Sequence, residues 1–446
     1  MDKDVNAENV TVEQFGKLTE NHPQPTMKIS DGQFKMCAVF NNGKTVGRGV
    51  FDLSIVGGKS YMLAGYIPTT AGNQTVWKKL ETSQILPVDA VDAHYCYPQT
   101  IKIPATLGEL WRELYGHVQP FDHREENGVS SVQVGDMTYR SSPDRPPWKY
   151  TTDFLKLLAQ QILGRDWFLE EAQKPIEQQH QITKLYGALY GQLKKAPADQ
   201  AGEFAFLPCG ASNYFFNLAY DLFVLQDAGA LNLSVLTRLK NKKGFQGARN
   251  EIFVAATCLR AGFKIEYENE RDGRTKHAEF VATHCETGAA IVVEAKSRHR
   301  PGVLDFEGEG QPVQNPKADV IGLLNDAIAK ANEKPITQPY VIFIDLNLPP
   351  SQGSVFEKPW FREVKQRVER QLGEATPSKP DAFNMVVFTN HPLHYGGNDE
   401  PSPPLEHPVV LFSMHPKHPA DRVLLDAIHE AAEKFGNIPP GFPVNP

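Results

Sequence analysis

The sequence lacks any apolar run long enough to span a bilayer. Its longest, such as Ala289–Val293 and Val341–Ile344, fall far short of the roughly 20 residues a membrane helix needs. Cysteine is scarce, with five in 446 residues and no CxxC pair. That excludes a disulfide-stapled fold and points to a reduced, cytoplasmic compartment. No apolar signal core follows the polar start Met1-Asp2-Lys3-Asp4. Familiar catalytic motifs are missing too. Gly58-Lys59-Ser60 ends like a phosphate-binding loop, but Leu53 stands where its first glycine is needed. His429-Glu430 opens like a zinc-protease helix, but Glu433 replaces the second histidine. His391, His394, His407, His415 and His418 match no zinc spacing and read as loop histidines. There is no GxSxG elbow and no dinucleotide fingerprint.

What is present is ordinary globular material, 41% hydrophobic and 22% charged. The net charge of −7 excludes a protein that coats nucleic acid with its whole surface, but leaves room for a local basic groove. Glycine and proline, 34 of each, imply many turns. The patterning predicts a multi-domain α/β (α+β) chain. Residues 1–30 read as a polar arm and 31–148 as a β-rich N-terminal domain. Within it a meander runs through Phe34–Phe40, Val46–Ile55 and Tyr61–Ile67, a short helix covers Ala105–Val118, and Gln119–Trp148 is loop-rich. Residues 149–244 read as a helical block, over Tyr150–Phe168, Leu169–Lys195, Ala211–Ala228 and Leu231–Lys240. Its aromatics Tyr214, Phe215, Phe216 and Tyr220 read as helix core. Residues 245–446 alternate helices and strands as an α/β domain.

One segment of that domain carries chemistry. Ala289–Ala295 is an apolar strand that ends in Glu294-Ala295-Lys296. Alternation puts Glu294 and Lys296 on one face and Ile291, Val293 and Ala295 on the other. Charges at the end of a buried strand need each other, a metal or water. Glu279 lies on the preceding strand, and antiparallel pairing through a turn at Cys285–Ala289 would bring it near Glu294. Two carboxylates that close repel unless a cation lies between them, and hard oxygen donors suit Mg²⁺ or Mn²⁺. A metal with a lysine beside it is what metal-assisted phosphodiester hydrolysis uses.

In order and spacing this segment resembles the PD-(D/E)XK nuclease superfamily, the restriction-endonuclease-like fold, and is most similar to Mrr-type enzymes and archaeal Holliday-junction resolvases. The resemblance covers residues 245–346. It rests on Gly247 and Glu251 in the opening helix, the turn Gly262-Phe263, the acid Glu279, and the strand ending Glu294-Ala295-Lys296, followed by helix 318–331 and strand 340–345. It implies a mixed central sheet. Glu279, Glu294 and the carbonyl of Ala295 would be the metal ligands. Lys296 would position water and stabilise the transition state, and Glu251 would be an outer ligand. The family's first acid is usually Asp, and here it is Glu279.

The implied activity is Mg²⁺- or Mn²⁺-dependent hydrolysis of DNA, with RNA open, by an endonuclease of the kind found in bacterial restriction or phage defence. Arg238, Lys240, Lys242, Lys243 and Arg249 before the motif, and Arg298 and Arg300 after it, would hold the phosphate backbone. A homodimer would suit duplex cleavage, and the N-terminal region is open to recognition, regulation or a partner protein. The alternatives are a nuclease fold that binds nucleic acid without cutting it, and a regulatory scaffold with structural charges. Under the last, Glu251 is a solvated helix residue and Glu279 an edge charge paired with Lys276 or Lys296. The acidic loop Pro301–Gln314 reads as a lid or a surface loop.

Overall fold

The computed structural model describes residues 107–195, 208–268, 278–299, 320–333, 337–350, 358–396, 402–403 and 405–442, with the course of seven strands before residue 107. The chain divides into two compact units, Met1–Glu113 with Pro443–Pro446, and Leu114–Phe442. In the first unit, β1 (Val10–Thr11), β2 (Gln33–Asn41), β3 (Lys44–Val56), β4 (Lys59–Ala71), β6 (Gln84–Pro87) and β7 (Gln99–Lys102) form an antiparallel sheet in the order β1-β6-β4-β3-β2-β7. Strand β5 (Gln74–Leu80) pairs with β4. Strand β1 falls inside the segment read as a polar arm. Helix α1 (Leu107–Tyr115) follows.

The second unit opens with a sheet where the sequence suggested loop. Strands β8 (Asp122–Glu126), β9 (Val129–Val134) and β10 (Met137–Arg140) pair antiparallel. The signal is weak because β8 is entirely polar. Only β9 alternates cleanly, with Val132 and Val134 fully buried.

The helices of the block are α2 (Thr151–Leu163), α3 (Arg165–Gln173), α4 (Gln181–Lys195), α5 (Gly210–Asp227) and α6 (Leu233–Leu239). Except for α5, which keeps its expected length, they are shorter than their apolar periodicity suggested. Gly164 separates α2 from α3, and Pro175, which has no N–H to donate, follows α3. Helix α5 is apolar on all sides and is correspondingly buried on all sides, including Tyr214, Phe215, Phe216 and Tyr220.

The block shares one compact unit with the α/β core. Helix α7 (Phe245–Arg260), which bears Glu251, lies against α5 and α6. Its Arg249 and Arg260 both reach Asp221 of α5, at 2.8 and 2.7 Å, and all three side chains are buried.

After α7, Gly262 takes a left-handed φ of +87° and turns the chain into a strand. The central sheet runs β11 (Phe263–Tyr267), β12 (Phe280–His284), β13 (Ala290–Ser297), β14 (Tyr340–Asp345), β15 (Met385–Thr389), β16 (Val409–Phe412). It is mixed: β13, β14 and β15 are parallel and the other pairs antiparallel. Strands β14 and β15 are almost continuously apolar, as strands covered on both faces must be.

One face packs on α8 (Val320–Glu333) and α9 (Pro359–Glu374), through a core that includes Val292, Leu324, Ala327, Ile342, Ile344 and Val364. The other face receives α7, whose Phe253 ring lies 6.4 Å from Phe343. Helix α10 (Arg422–Glu433) packs against α7, and Phe435 just beyond it lies 5.2 Å from Phe253. The architecture is thus mixed α/β, a six-stranded mixed sheet with helices on both faces. Among the described residues no helix is long and apolar enough to cross a membrane.

Asp221 faces two buried guanidinium groups, those of Arg249 and Arg260. Asp221→Ala leaves both cations uncompensated and should cost about 3–5 kcal/mol. Urea denaturation against the wild type measures this, and a loss under about 1 kcal/mol would contradict it.

Candidate functional site

The β12–β13 hairpin builds the site. Its turn uses Gly288 at φ +70°, and the register is Phe280↔Val293, Val281↔Val292, Ala282↔Ile291 and Thr283↔Ala290. The Glu279 N–H donates to the Val293 carbonyl at 3.1 Å, so Glu279 joins Phe280 opposite Val293 as a β-bulge at the end of the ladder. Alternation along the regular ladder puts Val281 on the same face as Val292, Glu294 and Lys296. Val281 and Val292 pack on the core beneath α8, which identifies this as the α8 face. Ile291, Val293 and Ala295 point the other way and are buried.

Glu294 has no exposed surface. Its Oε1 accepts from the Lys330 ammonium at 2.5 Å and pairs with Lys296 at 2.8 Å. Its Oε2 accepts from the Tyr340 hydroxyl at 3.1 Å. Lys330 comes from the last turn of α8 and Tyr340 from the start of β14. A buried carboxylate is tolerated when charges and hydrogen bonds surround it in this way. Burial pulls the Lys296 pKa down, but Glu294 outweighs it and holds the ammonium above its ordinary value. Lys296 is therefore a cation in this arrangement and not a base. Burial raises the Tyr340 hydroxyl well above its usual range, and Glu294 adds to the effect.

Glu279 is half-buried, and its carboxyl is pushed up to about 8. Burial is the largest cause. The carboxylates of Glu251 and Glu294 follow, and Lys330 and Lys296 oppose them. Glu251, Glu279 and Glu294 thus share one electrostatic neighbourhood. Glu251 is not a plain solvated helix residue. Arg238 grips it in a two-pronged ion pair at 2.5 and 2.6 Å. Asn250 beside it donates to the Lys296 carbonyl at 3.0 Å and ties α7 to the end of β13.

Arg238 is engaged with Glu251 on the protein itself. Arg249, expected on a phosphate-binding surface, is buried against Asp221, with Tyr214 and Phe435 flanking its guanidinium. Its helix turns it toward α5, so spacing alone misplaced it. Lys240, Lys242 and Arg298 are half-buried, and Lys243 is exposed. Arg300, Lys276 and the loop at 301–314 lie outside the described residues. Among the loop histidines, His391 and His394 are half-buried with their rings packed against aromatic neighbours. His391 stacks on Phe435 at 3.8 Å, and burial depresses both imidazole pKa values.

Sequence reasoning missed Lys330 and Tyr340 as site residues. Both carried a faint signal. Lys330 adjoins the apolar stripe Leu324, Ala327, Ala331, and Tyr340 opens a strand whose other side chains are apolar up to Asp345.

A divalent cation is what the resemblance implies here. Glu279, Glu294 and the Ala295 carbonyl offer the hard oxygen donors that Mg²⁺ or Mn²⁺ prefers. The carboxylates of Glu251 and Glu294 add to burial in raising the Glu279 carboxyl, and a cation here would relieve their part of it. Against this, among the described residues no three acidic, histidine or cysteine groups converge on one point, and two ammonium groups already meet Glu294 Oε1. The donor chemistry fits, and the cation's place beside Glu294 is held by lysine.

The raised pKa of Glu279 has a measurable sign. Its contribution to stability is full below its ordinary value of 4.5 and is lost as pH rises through about 8. Between pH 5 and 9 in EDTA, the wild type should lose on the order of a few kcal/mol relative to Glu279→Gln. Parallel urea curves for the two proteins would contradict the assignment. No family model, curated protein or solved structure matches the chain.

Proposed function

We propose that the chain is a metal-dependent nuclease that hydrolyses phosphodiester bonds, with DNA as its first substrate class. The observation that carries this reading is Glu294 and Lys296 ion-paired at 2.8 Å at the end of a central strand, with Glu279 at the adjoining end of the hairpin in the same electrostatic neighbourhood. The order of these residues, which resembles the PD-(D/E)XK superfamily, and a mixed sheet covered by α7 on one face and α8 on the other, both support it.

Glu279 and Glu294 would hold Mg²⁺ or Mn²⁺ with the Ala295 carbonyl, which is all that alanine can offer. When bound, the ion supplies a Lewis acid at the scissile phosphate. Lys296, kept protonated by Glu294, would set a positive charge against the phosphate and orient water. Glu251, neutralised by Arg238, would shape the field around Glu279 from behind. Lys243, with Lys240, Lys242 and Arg298, would contact the phosphate backbone without reading sequence. A role in bacterial restriction or phage defence, action as a homodimer, and recognition or partner binding by the N-terminal unit belong to the same proposal.

A second reading has one observation in its favour. Glu294 already receives two ammonium groups and a hydroxyl, as a purely structural ion cluster would. On that reading the fold binds nucleic acid, or scaffolds a partner, without cutting.

Supercoiled, linear and single-stranded DNA, incubated with Mg²⁺ or Mn²⁺, separate the two. The nuclease reading expects cleavage that EDTA abolishes and that Lys296→Ala slows by about 10²–10³-fold. DNA binding without cleavage by the wild type favours the second reading instead.

A further inference from the structure

We propose that Lys330 is the resident cation of the Glu279–Glu294 site, seated where a divalent metal would bind and displaced when one does. The inference rests on the metal-dependent reading above and concerns how that site is regulated. An ionised carboxylate oxygen has about two lone-pair sites. Glu294 Oε1 faces two ammonium groups, Lys330 at 2.5 Å and Lys296 at 2.8 Å, while Oε2 takes the Tyr340 hydroxyl at 3.1 Å. A metal ion can coordinate Oε1 only after one ammonium withdraws.

The surroundings decide which one moves. Lys296 belongs to β13 itself. Its backbone is fixed by parallel pairing opposite Ile344 and by the Asn250 amide on its carbonyl. Lys330 stands on a separate element, in the last turn of α8, and its four-carbon stem can swing outward without disturbing the strand. Lys330 also acts more strongly than Lys296 on Glu279. An ammonium seated at 2.5 Å on the buried Glu294 oxygen occupies the place a metal ion bound to that oxygen would take.

The consequence is competition. The lysine keeps Glu294 compensated while no metal is bound, and it lowers the apparent affinity for metal by the cost of its own departure. Once displaced, it becomes a second positive group, beside Lys296, at the mouth of the site.

The test is calorimetric titration of the full chain with Mn²⁺, for the wild type, Lys330→Met, Lys330→Arg and Glu294→Gln. Lys330→Met should bind Mn²⁺ at least about tenfold more tightly, because its competitor is gone and Lys296 still compensates Glu294. Lys330→Arg should not tighten binding, and Glu294→Gln should lose it.

A second measurement needs no variant. Acetic anhydride labelling of the wild type, read by mass spectrometry, should modify Lys330 several-fold faster with Mn²⁺ than with EDTA. A general charge effect at a distance would leave that labelling unmoved.

Equal Mn²⁺ affinity in the wild type and Lys330→Met, or unchanged labelling, overturns the displacement and leaves the metal-dependent reading standing. Absence of Mn²⁺ binding in every protein, Lys330→Met included, overturns both.

Discussion

A carboxylate with no exposed surface stays ionised inside a sheet only if cations are brought to it, and Glu294 imposes that requirement on everything around it. The strand that bears it must lie in the middle of the sheet, because its neighbours on both faces are apolar. Lysine must then arrive from two directions, along the strand from Lys296 and across from α8 through Lys330. Tyr340 on the next strand fills the remaining oxygen. Glu279, at the end of the hairpin, is raised to about 8, first by burial and then by the carboxylates of Glu251 and Glu294.

The second unit holds another buried carboxylate cluster, and the contrast is instructive. Asp221 is met by two arginines, Arg249 and Arg260, both almost wholly enclosed. Guanidinium groups are planar and held by neighbouring rings, with Arg260 stacked over Tyr220 at 5.1 Å. Glu294 is met by two lysines on flexible stems, each about a quarter exposed. The first cluster has the character of a rivet, and the second that of a site whose occupant can change.

Much of the sheet was legible because its signals are local. The apolar runs of β13, β14 and β15, the glycine at 262 and the turn glycine at 288 each point to one local structure. The nearness of Glu279 and Glu294 was legible because a hairpin joins them, but the bulge at Glu279 that shifts the count by one was not. What the sequence concealed depends on distant packing. Arg249 reads as one more base in a basic stretch, and only the position of α5 shows that it is buried. Arg238 and Glu251 lie thirteen residues apart on different helices, and their pairing depends on how α6 meets α7. Lys330 lies thirty-six residues beyond Glu294, and its place beside an apolar stripe hints at burial without naming a partner. The strands at 122–140 were hidden by their polarity.

The route of the C-terminal segment bears on how this chain can be divided. Past α10, Asn437 donates to the Leu114 carbonyl, Thr151 donates to the Pro439 carbonyl, and Phe442 stacks on His123 at 4.0 Å. Phe442 thereby joins the aromatic cluster of Phe121, Phe154 and Phe223. The α/β segment is therefore stitched at its front by the Asp221 arginines and at its back by its own tail, both to residues that precede it. Excised at residue 245, it would carry two orphaned guanidinium groups and a tail with nothing to grip. The nuclease-like stretch is contiguous in sequence, yet it is not a transplantable cassette. Gene-fusion or truncation boundaries that respect the physics fall near residue 114, not at the motif.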